Sequence, residues 1–290
     1  MSTPSGSTPA AAARTVLITG TSTGIGLATA IACARAGWTT IATMRNLERA
    51  DLLRHAAAEA GVEITIDQLD VTSDASALAA VAAVVERFGH LDAVVNNAGA
   101  AQLGTAELMG LDEFRAAMEV NFFGVVRLTQ AALPHLRASG GRVLTISSVG
   151  GVVGQPFNEA YCAAKFAVEG FMESLQPVAR TVGVDVCLVE PGAVASEFVA
   201  NAGIDPEQAL AAAGPYAPAL SAYLQRTRAQ FGTAAQSAEE VGRQVAELLG
   251  AAHPPFRSQT SPGATQFVSS KLADLDGSAV TGMTLPWVTG

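Results

Sequence analysis

The chain of 290 residues is 49% hydrophobic and 15% charged, with a formal net charge of −9. That balance excludes an intrinsically disordered chain, and the acidic surface argues against nucleic acid or anionic lipid as a partner. No apolar run reaches the roughly 18 residues that a membrane span requires. The longest, Ala77 to Val85, stops at Glu86.

The elements alternate. Thr15–Thr19 reads as a strand, followed by a glycine loop and a helix over 24–36 that ends at Gly37. Strands are predicted at 39–43, 63–69, 91–95, 142–147 and 184–189, with a weaker one at 256–261. Helices are predicted at 46–60, from the Ser73 cap to about Phe88, at 111–137 as one helix or two with Pro134 disturbing the end, and at 160–181. Strict alternation implies right-handed βαβ units. The expected fold is α/β: a doubly wound parallel sheet of about seven strands in three α/β/α layers. Residues 1–13 read as a disordered leader rather than a signal peptide, because they lack a basic start and an apolar core. Residues 14–290 read as one domain. The segment 195–240 breaks the rhythm and reads as a lid, and 262–290 reads as a tail. Three cysteines without paired spacing (Cys33, Cys162 and Cys187) point to a reducing, cytoplasmic compartment. The four histidines are scattered, so no metal site is expected.

The first strand runs into Gly20-Thr21-Ser22-Thr23-Gly24-Ile25-Gly26. Glycines let the backbone approach a pyrophosphate, and the next helix offers unpaired N–H groups and a positive dipole end. The spacing is GxxxGxG, which differs from GxGxxG. NAD-preferring sites place an acid at the end of the second strand to bind a ribose 2′-hydroxyl. Here that stretch is Thr43-Met44-Arg45-Asn46. Arg45 can pair with a 2′-phosphate, assisted by Thr23, so NADP(H) is expected over NAD(H). Asp70, beside Val71, ends the third strand, where its carboxylate can accept a bond from an adenine amino group. Asn96-Asn97-Ala98-Gly99 ends the fourth strand with residues small enough for a close approach to a ribose.

Tyr161 and Lys165 stand four apart on a predicted helix and so share one face. Ser148 follows the fifth strand at the sheet edge where ligands bind. Asn121 lies inside a helix, where Asn is locally unfavourable. A phenol near pKa 10 is a poor base at neutral pH, and a neighbouring ammonium and an oxidised nicotinamide are both expected to lower it. Ser148 can donate to a substrate oxygen as charge develops on it. Asn121 can fix a water that joins Lys165 to solvent.

With Pro191-Gly192, these motifs resemble the short-chain dehydrogenase/reductase family in its single-domain, Rossmann-type form over roughly residues 14–261. The resemblance implies an NAD(P)(H)-dependent, metal-free oxidoreductase that forms homodimers or homotetramers. Ser148, Tyr161 and Lys165 would be its catalytic triad, with Asn121 as fourth member. Asp70, Asn97, Pro191, Gly192 and Val194 would be cofactor contacts. The stretches Ser148–Asn158 and Tyr161–Gly170, with Thr43–Arg45, are similar to the 17β-hydroxysteroid dehydrogenase type 1 and retinol dehydrogenase branch. That implies an apolar alcohol or ketone, of steroid, retinoid or polyketide type. Val152, Val153, Phe157, Asn158, Ala193 and Phe198 are the expected pocket lining. The competing reading is a catalytically silent, cofactor-sensing protein on the same fold.

Overall fold

A computed structural model describes residues 13–197, 203 and 205–278. Its strands are β1 (Thr15–Thr19), β2 (Thr39–Met44), β3 (Thr65–Gln68), β4 (Ala93–Asn96), β5 (Arg142–Ile146), β6 (Asp185–Glu190), β7 (Val194–Ala195), β8 (Gln236–Ser237) and β9 (Arg257–Gln259). Seven of them form one sheet in the order β3-β2-β1-β4-β5-β6-β9, with every pair parallel. The doubly wound α/β reading therefore holds.

The sheet is covered on both faces, so its central strands are continuous apolar runs. Successive side chains of β1 part to opposite layers. Val16 and Ile18 join the core under α1 (Gly24–Arg35) and a late helix over Ala238–Gly250, whereas Leu17 joins the core under the helices on the other face. Small residues let α1 and that late helix pack closely. A Cβ on Gly242 would lie 2.6 Å from the Ala28 carbonyl carbon. The edge strand β3 is shorter than the predicted 63–69, and none of its four residues is fully buried.

The predicted helix 46–60 is a 3₁₀ turn, Leu47–Arg49, followed by α2 (Asp51–Ala60). Next comes α3 (Asp74–Phe88), capped by Ser73 as expected. The stretch 111–137 becomes α4 (Leu111–Met118), a π turn over Glu119–Phe123, and α5 (Gly124–Ser139). Pro134 does not end α5. It lies on the exposed side, where water can take over the bond it removes, and the helix stops at Gly140. The catalytic-type helix of the sequence reading is α6 (Glu159–Arg180).

The segment 195–240 holds α7 (Pro206–Ala212) and α8 (Ala217–Ala234). Its two ends are joined where β7 pairs with β8 and Gln236 N–H donates to the Ala193 carbonyl at 3.0 Å. The helix Ala238–Gly250 is α9. The expected tail begins with a packed helix: α10 (Pro262–Ser269) buries Ala264 and Val268 against Val149 and Val152, and Leu272 and Leu275 pack on the same cluster. No helix among the described residues is long and apolar enough to cross a membrane.

Candidate active site

The strand order turns back on either side of β1, so the loops after β1 and β4 diverge there and leave a crevice at the strands' carboxyl ends. A cleft of about 870 Å³ occupies it. Its floor is the glycine loop. Gly20 has φ +69, a left-handed conformation suited to glycine, and a Cβ there would lie 2.8 Å from Ala98 Cα. A Cβ on Gly26 would lie 2.2 Å from the Gly20 carbonyl oxygen and 2.4 Å from Asn97 Nδ2. Asn97 ties the strand ends together: Nδ2 donates to the carbonyls of Thr19 at 2.8 Å and Gly20 at 3.0 Å. Thr19 Oγ1 accepts from the N–H groups of Asn97 and Ala98, both at 3.0 Å. The first turn of α1 carries no acidic residue, which leaves its dipole end suited to an anion.

At one end of the cleft, Arg45 follows β2 on the surface, and its carbonyl accepts from Gln68 Nε2 at 3.0 Å. Asp70 Oδ1 accepts from Thr72 N–H at 2.9 Å and Thr72 Oγ1–H at 2.7 Å. Burial pushes the Asp70 carboxyl up, but the Thr72 bonds, Arg45 and Arg127 outweigh it and hold it below its ordinary value. Asp70 is thus a fixed acceptor.

At the other end, Ser148 follows β5 and caps the short turn Val149–Gly151 by accepting from Gly150 N–H at 3.0 Å. Tyr161 and Lys165 project from the first turns of α6. Lys165 is only 4% exposed, and its Nζ donates to the Ile146 carbonyl at 2.8 Å, 5.8 Å from the centre of the Tyr161 ring. Burial pulls the ammonium down to about 8, against the opposing effect of Glu169. Burial pushes Tyr161 up to about 12, and its hydrogen bond with Ser148 opposes that only in part.

The cleft brings together Ser22, Thr23, Gly24, Ile25, Val71, Gly99, Val153, Asn158, Pro191, Gly192, Ala193 and Val194 with the residues above. Three predicted residues stand elsewhere. Asn121 is fully buried in the π turn; its Oδ1 accepts from Ala100 N–H at 3.1 Å, and its Nδ2 donates to the carbonyls of Ala100 and Ala117, both at 3.0 Å. Its amide bonds the backbone of two segments. Val152 is core beneath α10, and Phe157 is core beneath the lid with Ala213 and Leu220, because both side chains find apolar partners there. Phe198 lies outside the described residues. Conversely, Tyr223, Arg226, Thr227 and Phe231 of α8 line the cleft, as do Ser261, Ala264 and Phe267 of the supposed tail. The tail signal was legible: Ser261 before Pro262 is a cap followed by an N1 proline.

A family model for short chain dehydrogenases matches residues 14–207. The chain belongs to the short-chain dehydrogenase family. It is 38% identical to bovine (Bos taurus) retinol dehydrogenase 8 over 282 residues, 92% of this chain and 88% of that protein. It is 38% identical to human 17-beta-hydroxysteroid dehydrogenase type 1 over 275 residues, 92% of this chain and 83% of that protein. Among solved structures it is similar to an alcohol dehydrogenase from the archaeon Thermococcus sibiricus complexed with 5-hydroxy-NADP. That likeness has a TM-score of 0.69 at 27% identity, covering 85% of this chain and 95% of that one. This short-chain dehydrogenase is therefore an oxidoreductase of the retinol and 17β-hydroxysteroid dehydrogenase branch.

Proposed function

We propose that the protein is an NADP(H)-dependent alcohol dehydrogenase or ketoreductase acting on an apolar alcohol or ketone, with Tyr161 as its general acid and base. The observation that carries this reading is the convergence of Ser148, Tyr161 and Lys165 at one end of a cleft whose other end holds Arg45 and Asp70. The residues fit a dinucleotide. The Gly26 position is a cradle that a single Cβ would fill, and the amino end of α1 suits a pyrophosphate. Arg45 would meet a 2′-phosphate and Asp70 an adenine amino group. The bound nicotinamide supplies hydride to a carbonyl carbon or takes it from an alcohol.

Tyr161 carries the proton. A phenol held near 12 stays protonated at neutral pH, which suits it to give a proton to a carbonyl oxygen. Ser148, already in contact with Tyr161, would donate to the same oxygen as negative charge grows on it. Lys165 remains mostly an ammonium at neutral pH and stabilises the phenolate left behind. Val153, Ala193, Tyr223 and Phe267 offer mostly apolar walls to the substrate. The names of the relatives, a retinol dehydrogenase and a 17-beta-hydroxysteroid dehydrogenase, support the apolar class.

The decisive variant is Tyr161→Phe. It is expected to bind NADPH as the parent does and to lose carbonyl reduction by about 10²- to 10⁴-fold. Parental turnover in Tyr161→Phe would remove the proton role. A silent cofactor-binding protein would show no turnover in the parent with any of a panel of steroid, retinoid and aromatic ketones.

A further inference from the structure

Behind the catalytic end lies a second group of charges that the reaction does not touch directly. Arg257 of β9 is buried, and its guanidinium meets three carboxylates. Nε–H donates to Glu169 Oε2 at 3.1 Å and stands 3.3 Å from Glu190 Oε1, and Nη2 pairs with Glu173. The side chains of Glu169 and Glu190 are 7% and 0% exposed, against 28% for Glu173, which alone of the three reaches solvent. The cluster adjoins the active site. Glu169 follows Lys165 by one turn of α6, and a Cβ on Gly151 would lie 3.0 Å from Glu169 Cγ and 3.2 Å from the Lys165 carbonyl oxygen. Glu190 immediately precedes the Pro191-Gly192 turn of the cleft.

Fully ionised, the cluster would hold three negative charges against one positive charge in a region with little water. Two carboxylates around one N–H cannot both ionise at ordinary pH. The pattern of bonds shows where a proton fits. Glu190 Oε2 accepts from Gln259 Nε2 at 2.9 Å, whereas Glu190 Oε1 is buried without a hydrogen-bond partner. A carboxylic acid with Oε2 as its carbonyl keeps the Gln259 bond and removes the negative charge from Oε1, which no hydrogen bond stabilises. Glu169 is held differently: besides the Arg257 bond its carboxylate accepts from the Ser147 hydroxyl, and both favour its charged form against the burial that pushes its carboxyl up. Burial and the neighbouring Glu169 charge push the Glu190 carboxyl up to about 7, in the same sense.

We infer that Glu190 is held as the neutral acid below neutral pH, with its proton on Oε1, so that Glu169 remains the ionised counter-charge that keeps Lys165 an ammonium. Glu169 and Glu190 are then positioning residues. This rests on the role given to Lys165 above. The charged and titratable groups around Lys165 and Glu169 are Tyr161 and Glu173 on α6, Glu190 on β6 and Arg257 on β9. Asp276 approaches from the following segment: its carbonyl accepts from Arg257 N–H, while its carboxylate is bonded by Ser278.

Two measurements on the full chain test this. Infrared spectroscopy at about pH 6, where exposed carboxylates are ionised, is expected to show the carbonyl stretch of a neutral buried acid that disappears in Glu190→Gln. Absence of the band in the parent, or its survival in Glu190→Gln, overturns the assignment. The pH profile of carbonyl reduction gives the second readout. Without the Glu169 charge, Lys165 loses its proton at lower pH, so Glu169→Gln should move the alkaline limb down by about one pH unit, and Glu169→Asp should restore part of it. An unmoved limb in folded Glu169→Gln overturns the coupling to Lys165. If that variant does not fold, the infrared band still decides the site of the proton. The band does not depend on turnover, so loss of the Tyr161 mechanism and loss of this inference are read separately.

Discussion

The proposed preference for NADP(H) turns on Arg45, and replacing it by Asp reverses its charge without touching the core. The guanidinium is on the surface at the end of β2, and the segment is anchored by the backbone bond from Gln68 and not by the side chain. Binding loss should therefore reflect charge and not folding. A charge-assisted hydrogen bond contributes about 1.5–3 kcal/mol, and solvent screening places an exposed one at the low end. At about 1.4 kcal/mol per decade, Arg45→Ala should weaken NADPH roughly tenfold. Arg45→Asp adds repulsion of a 2′-phosphate and should weaken NADPH roughly a hundredfold, while NADH changes little because its ribose carries a hydroxyl there. The assay is a fluorescence titration of both cofactors with parent and variants at fixed salt, repeated at higher salt. The advantage of NADPH should shrink as salt rises, because the pair is exposed. Parental NADPH affinity in Arg45→Asp, or an equal loss of NADH, would refute the assignment.

Three other predictions rest on specific contacts. Gly26→Ala should cost about 1–3 kcal/mol of stability and most cofactor affinity, because its Cβ would collide with the Gly20 carbonyl and Asn97; calorimetric titration and thermal melting check this, and parental binding would contradict it. Tyr223→Phe removes the 2.6 Å bond from Asn158 Nδ2 while keeping the ring against Phe157. KM for an apolar ketone should rise about three- to tenfold with smaller change in kcat, in line with one neutral hydrogen bond; steady-state kinetics with an unchanged KM would dismiss the latch. Glu190 has a folded-state value raised from 4.5 to about 7. Its contribution is therefore complete below 4.5 and is lost as pH rises through about 7, so Glu190→Gln should gain on the parent by up to about 3 kcal/mol across that window. Denaturant unfolding at both ends of the window measures this, and a flat difference would exclude a raised value.

The half of the cleft built from strand ends was legible because its geometry follows from alternation. Once β3, β2, β1 and β4 are parallel neighbours in that order, Asp70, Arg45, Gly20 and Asn97 must arrive at one edge. The motifs then needed only local reasoning. Asn121 marks where local reasoning runs out, because an Asn in a helix suggests a task without naming it. Its task is to bond the backbone of Ala100 and Ala117 across a π turn that no spacing rule announces. The burial of Tyr161 and Lys165, which pushes the phenol up and the ammonium down, comes from the three-dimensional packing of α6 and no spacing rule carries it. The tail was overlooked because a short helix after a weak edge strand has little periodicity. Its role comes from packing Ala264 and Val268 on the turn after Ser148, more than a hundred residues away.

The substrate half is assembled from segments that share no local signal, and one residue shows how they are joined. Phe157 has φ 58, the only left-handed non-glycine among the described residues. That conformation costs roughly 1–2 kcal/mol for a residue with a Cβ. It persists because several contacts hold it at once. Its carbonyl accepts from Gly104 N–H at 2.9 Å, its ring lies 5.7 Å from that of Tyr223 on the lid helix, and its side chain is buried with Ala213 and Leu220. Asn158, the next residue, caps α6 and bonds Tyr223, and Tyr161 stands three residues further on. The strained turn therefore connects the lid to the start of the helix that carries the proposed acid. Tyr223 and Thr227 line the cleft, so this turn ties one of its walls to the first turn of α6 and to Tyr161.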